Sequence, residues 1–122
     1  MECEGKRTRL NVFTIAVANS DQYGNNAHIA PGARVDDGLL DLTVVPPVSL
    51  FNALPLMCRL FSGTLSAGRT VWRKQSAHFA VEMPGSGTLH TDGETYDVGA
   101  RVEFSVLPRS LRIMTPARLA GA

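Results

Sequence analysis

Two short runs concentrate the residues able to do chemistry. Thr91-Asp92-Gly93-Glu94 brings two carboxylates within three positions of each other. A tight hairpin at this point would hold them at the tip of a rigid ribbon. From there a carboxylate can take the proton of a substrate hydroxyl as that oxygen attacks an electrophile. The turn alone accounts for Asp92 and Gly93 but says less about Glu94. The second run, Asp36-Asp37-Gly38-Leu39-Leu40-Asp41, puts three carboxylates in six residues. They repel one another unless they are spaced, solvated or bridged by a cation. Mg²⁺ accepts carboxylate, carbonyl and water oxygens in such a place. Taken by itself this run is a tight turn or a cation site, and its residue types suit both.

Other chemistries find no support. The chain has no G-x-x-x-x-G-K-[ST] phosphate loop, and Gly85-Ser86-Gly87 is a fragment of a glycine fingerprint with no helix after it. His28, His78 and His90 have no metal-ligand spacing with one another or with Cys3 and Cys58. No G-x-S-x-G elbow is present. His90 stands two residues before Asp92 and reads as a strand-surface residue or, less directly, as a base.

The elements that must position these residues are mostly strands. Asn11–Ala18 is rich in β-branched and aromatic residues and apolar on both faces, as suits a strand covered on both sides. Leu40, Leu42 and Val44 alternate with Asp41 and Thr43, and Ala77, Phe79, Val81 and Met83 alternate with Ser76, His78 and Glu82. Thr88–Thr91 and Glu94–Val98 flank Asp92-Gly93, a strong hairpin signal. Val102, Phe104 and Val106 form a further alternating run, and Leu111 and Ile113 suggest a last short strand. The expected fold is mainly β, an antiparallel β-sandwich with one apolar helix over about residues 49–62.

In that helix Leu50, Ala53, Leu54, Met57 and Phe61 recur at helical spacing behind Ser49 as N-cap, and Gly63 can end it. Pro55 lies inside the run and predicts a kink or a late start. The stripe fits a helix packed over the sheet. Phe51, Leu56, Leu60 and Phe61 leave little of the circumference polar, which keeps a lipid-facing or partner-facing helix open.

The 122 residues fit one domain, 1–122, and 44% hydrophobic content excludes a disordered tail. A formal charge of +1 argues against a nucleic-acid partner. The apolar stretch from Pro46 to Phe61 is too short and interrupted to span a bilayer, and the charged opening residues are unlike a signal peptide. A cytoplasmic protein is expected. Cys58 is expected to be a small buried hydrophobe, with a Cys3–Cys58 bridge as the alternative. No acidic residue lies between Leu42 and Val81, whereas Arg59, Arg69, Arg73 and Lys74 do, and Arg109, Arg112 and Arg118 mark the tail. These form a solvated basic face or one that meets a phosphate or an anionic membrane.

The order of the pieces is more specific than any one of them. Val17-Ala18-Asn19, Tyr23-Gly24-Asn25-Asn26, Ile29-Ala30-Pro31, Asp36-Asp37-Gly38-Leu39-Leu40-Asp41, the apolar helix to Gly63 and Asp92-Gly93-Glu94 follow one another. From about Asn11 to Pro116 the chain resembles the C-terminal half of the diacylglycerol kinase-like lipid kinases. The run Tyr23–Ala27 departs from the commoner glycine-rich version. The resemblance implies a β-sandwich domain lining a cleft against a separate nucleotide-binding domain. It implies Glu94, with Asp92 beside it, as acceptor of a lipid hydroxyl's proton during transfer of the γ-phosphoryl group of ATP. It also implies a structural Mg²⁺ near the acidic turn, held by the Asp37 side chain and the carbonyls of Leu39 and Arg34. ATP would bind mainly to the other domain, and peripheral contact with the inner membrane face is implied.

The Gly-Gly-Asp-Gly-Thr loop of that family's nucleotide half is absent from these 122 residues. The chain alone is therefore expected to be inactive, and strands missing upstream would leave edges open to homodimerisation. The rival expectation is a free-standing, non-catalytic β module binding lipid, membrane or a partner chain. A nucleotide kinase of the NAD kinase type fits the paired acidic motifs less well.

Overall fold

A computed structural model describes residues 1–3, 5–65, 68, 71–112 and 114. Two short strands, β1 (Glu2–Cys3) and β2 (Lys6–Arg7), form an opening hairpin. β3 (Thr14–Ala18) and β4 (Leu40–Val45) precede the helix α1 (Leu50–Phe61). β5 (Trp72–Ser76), β6 (His78–Glu82), β7 (Gly87–Thr91), β8 (Glu94–Val98) and β9 (Arg101–Ser105) follow. They make a sheet of order β2-β1-β6-β9, a sheet of order β3-β4-β5 and the separate hairpin β7-β8. Every pairing is antiparallel.

The core lies between the two larger sheets. Cys3 and Phe79 from one meet Leu42 and Val44 from the other, with Ile15, Val17, Leu40 and Phe104 packed around them. The outward face of the four-stranded sheet is ionic. Arg101 bridges Glu2, Glu82 and Glu103, and Arg7 bridges Glu2 and Glu82. Inside-apolar and outside-charged alternation is what a two-layer antiparallel architecture requires.

Several expectations are corrected. The strand covered on both sides is β4, whose inward residues fill the core while Asp41, Thr43 and Val45 are buried on its other face. β3 starts later than Asn11, is an edge strand, and leaves Phe13 70% exposed. The run Ser76–Met83 is two elements, because the chain passes from one sheet to the other through Ala77 alone. The Ser76 hydroxyl accepts the His78 N–H at that corner. Leu111 is exposed and lies in no strand, and Ile113 is outside the described residues. Both cysteines are free, and Cys3 rather than Cys58 is the buried one.

α1 begins five residues before Pro55, so there is no late start. Asn52 Oδ1 accepts the Ser49 N–H at 2.7 Å and fixes the entry. The expected stripe does not face the sheet: no residue of α1 is fully buried, and Leu50, Leu54, Met57 and Phe61 point to solvent. The partly buried side carries Ala53, Leu56 and Leu60. Asn52, Pro55, Leu56 and Arg59 line a shallow groove against Val45–Val48. At its far end α1 gives the Leu60 carbonyl to the N–H of His28, and the His28 ring rests against Gly63, whose φ of +68° reverses the chain.

Candidate active site

In the β7-β8 hairpin Thr91 pairs with Glu94 across a two-residue turn. Asp92 (φ 48°) and Gly93 (φ 96°) are both left-handed, the type I′ geometry that matches strand twist. Cross-strand partners share a face, so Glu94 lies with Thr91, Leu89 and Tyr96. His90 and Thr95 occupy the opposite face. Glu94 is exposed, and no hydrogen bond or ion pair among the described residues engages its carboxylate.

The hairpin pairs with no other strand. At its base Gly87 fits under Met83, where an added Cβ would come within 2.7 Å of Sδ. Further out, the Tyr23 hydroxyl meets His90 Nδ1 at 3.0 Å, with the rings edge-on at 6.2 Å between centroids. Tyr23 stands in a tight loop that turns back through Gly24 and Asn26, both at positive φ. That loop is closed by Tyr23 N–H to Ala27 carbonyl and Ala30 N–H to Asp21 carbonyl bonds. His90 is thus a tether on the face away from Glu94, a surface role rather than that of a base beside the carboxylates.

Two of the three carboxylates of the acidic turn have basic partners. Arg34 bonds both oxygens of Asp36, at 3.1 and 3.2 Å, which holds the Asp36 carboxyl below the usual carboxylate range and raises the guanidinium. Asp37 Oδ1 accepts the Leu39 N–H at 2.9 Å across Gly38. Asp41 is buried, and receives Arg73 Nη2 at 2.9 Å and Gln75 Nε2 at 3.1 Å. Arg73 Nη1 then reaches the Pro31 carbonyl at 3.0 Å, and Thr43 Oγ1 donates to the Ile29 carbonyl at 2.9 Å. Ile29-Ala30-Pro31 is thereby stapled over the outer face of β4.

Among the described residues Asp37 is the carboxylate of the run left without an ion-pair partner. Its second oxygen and the carbonyls of Leu39 and Arg34 are oxygen donors of the type a hard cation takes. No group of three or more His, Cys, Asp or Glu gathers among the described residues. The acidic turn and the Tyr23 loop leave the same end of the three-stranded sheet, where Ala18 pairs with Asp41. No hydrogen bond among the described residues joins Glu94 to Asp37.

Arg73 and Gln75 escaped the reading of the sequence. The basic run looked solvated, yet Arg73 is mostly buried as the counter-charge of Asp41, and Arg69 lies outside the described residues. A buried Asp in an apolar alternation, followed by a polar strand, was the signal available.

Comparison with known proteins gives one family. Residues 1–115 match the model of the YegS C-terminal NAD kinase β-sandwich-like domain. A protein of Pseudomonas aeruginosa named "probable lipid kinase YegS-like" is 32% identical over 106 residues, covering 86% of this chain and 34% of its own length. One of Citrobacter koseri with the same name is 30% identical over 109 residues, covering 87% and 34%. One of Shewanella frigidimarina is 28% identical over 101 residues, covering 83% and 32%. The chain spans about a third of the length of the curated relatives it matches.

Proposed function

The chain belongs to the YegS C-terminal NAD kinase β-sandwich-like family, and from that membership we propose that it is the acceptor-side domain of an ATP-dependent lipid kinase. The observation that carries the reading is Glu94, unpaired among the described residues at the tip of a hairpin that Tyr23 ties to the body. In the proposed reaction the Glu94 carboxylate takes the proton of a lipid hydroxyl, diacylglycerol-like in class. The freed oxygen bonds to the γ-phosphorus of ATP, and the bond from that phosphorus to the departing ADP oxygen breaks. Such transfer depends mainly on positioning and charge neutralisation. Asp92 shares the turn and adds negative potential beside the base. A Mg²⁺ ion bound at Asp37, Leu39 and Arg34 would brace the acidic turn.

ATP would be held mainly by a nucleotide-binding partner domain, and the 122 residues alone are proposed to be inactive. A cytoplasmic location is part of the same proposal. No helix among the described residues is long and apolar enough to cross a membrane. The test is to read the coding frame upstream of Met1 and express the whole product with labelled ATP and diacylglycerol. Label in phosphatidic acid, lost on Glu94→Gln, supports the reading. A stop codon directly before Met1 and no transfer would overturn it in favour of a free-standing binding module, which the outward-facing apolar helix favours.

A further inference from the structure

The β7-β8 hairpin has two unlike faces. Leu89, Thr91, Glu94, Tyr96 and Val98 lie on one, and Thr88, His90, Thr95 and Asp97 on the other. Glu94 is the one charge on the first face, whereas every residue of the second is polar. An exposed ribbon ordinarily turns its apolar face to the body and its polar face to water. Here the polar face meets the body, through His90 and the Tyr23 hydroxyl. The apolar face stays out of the core: among the described residues neither Leu89 nor Tyr96 packs against the buried cluster, and Tyr96 is 51% exposed.

Position on the ribbon says what that face can receive. Tyr96 stands two residues from Glu94 on the same strand, about 7 Å along it. Leu89 is directly opposite Tyr96, with Cβ atoms about 5 Å apart. An acceptor with its hydroxyl at Glu94 therefore lies along this pair or leaves the domain altogether. Charge narrows the choice. From Gly87 to Val98 the chain holds Asp92, Glu94 and Asp97 and no Lys or Arg, so a nucleotide's phosphates find no counter-charge along the hairpin. An uncharged portion of the acceptor is what the pair accommodates. A tyrosine suits the boundary between ester and hydrocarbon, with an apolar ring and a hydroxyl that can donate to an ester carbonyl.

We propose that Leu89 and Tyr96 are specificity-determining residues: the uncharged glyceryl ester portion of the acceptor lies across them while its hydroxyl is held at Glu94. The inference rests on the kinase reading and adds to it two residues that contact the acceptor away from the reacting atoms. Neither side chain carries the transferred proton or touches the phosphorus. Their contribution is the same before and during the reaction, so losing it raises the KM for the acceptor and leaves kcat and the KM for ATP in place.

The test takes the product of the whole reading frame and titrates it, without ATP, with dihexanoylglycerol while NMR follows methyl and aromatic signals. The largest shifts are expected at the Leu89 methyls and the Tyr96 ring. Tyr96→Ser should weaken binding about tenfold, the scale of one lost apolar contact. Tyr96→Phe should keep most of the affinity and Thr95→Ala, on the opposite face, all of it, with circular dichroism the same throughout. Absence of shifts at Leu89 and Tyr96, or binding that survives Tyr96→Ser, overturns the proposal. Turnover with ATP separates it from the kinase reading. Binding with these shifts but no phosphoryl transfer removes the kinase reading and keeps the subsite. Transfer to dihexanoylglycerol with an unchanged KM in Tyr96→Ser keeps the kinase reading and removes the subsite.

Discussion

The Tyr23 hydroxyl and His90 Nδ1 meet at 3.0 Å across 67 residues of sequence. Loop and hairpin have no strand pairing in common, so this bond sets the angle at which Glu94 is presented. Tyr23→Phe removes it while keeping the ring. An exposed hydrogen bond contributes about 1 kcal/mol at most to stability, so melting should hardly change. Amide exchange over residues 87–98 should accelerate. In the proposed kinase kcat should fall several-fold with KM for ATP unchanged. Unaltered exchange would remove Tyr23 from hairpin positioning.

Glu94 and Asp92 are separable. Glu94→Gln keeps size and exposure but removes the proton acceptor, and a loss of about 10²–10⁴ in kcat is expected, typical of a general base. Asp92→Asn preserves a side chain that tolerates left-handed backbone, so the turn survives and any loss of rate reports the charge alone. Both variants should melt with the parent. Full turnover in Glu94→Gln would exclude it as the base.

That hairpin was legible in the sequence because its turn chemistry and alternation agree, and both are local. The inward side of α1 was not. Leu50, Leu54, Met57 and Phe61 make one stripe and Ala53, Leu56 and Leu60 another, and a period of 3.6 states that a face exists without stating which side meets the sheet. β5 was hidden for a related reason. Trp72-Arg73-Lys74-Gln75-Ser76 carries polar residues through its length, because Arg73 is held partly buried, and Gln75 is anchored, as partners of Asp41 rather than for their own apolarity.

The acidic turn supports a contrast between two substitutions. Arg73→Met strands a carboxylate that is 5% exposed, and removing one partner of a buried pair costs about 3 kcal/mol. Asp37→Asn should melt like the parent in chelator, since an amide oxygen can still accept the Leu39 N–H. Added Mg²⁺ should raise the melting temperature of the parent but not of Asp37→Asn. Equal responses would dismiss Asp37 as a ligand.

Acid should act through Asp36 and Glu103. The Arg34 hydrogen bond lowers the first below its ordinary 3.8, and the Arg101 hydrogen bonds lower the second below 4.5. Each pairing therefore stabilises the fold above those ordinary values, and the contribution disappears as pH falls through the depressed folded-state values. Arg34→Gln and Arg101→Gln should melt below the parent near neutrality and converge with it in acid. A gap that persists undiminished in strong acid would contradict the pairing.

The pairing of Glu2 with Ala80 also has a consequence in time. The second partner is 78 positions after the first, and ribosomes add about 5–20 residues per second. β1 therefore waits roughly 4–16 s before its partner on the other edge, β6, is synthesised. During that interval Cys3 lacks Phe79, which later packs against it, and β1 keeps one edge unpaired. The sheet itself closes later still, with β9, and translation speed over residues 8–80 governs how long the inner edge of β1 is left open.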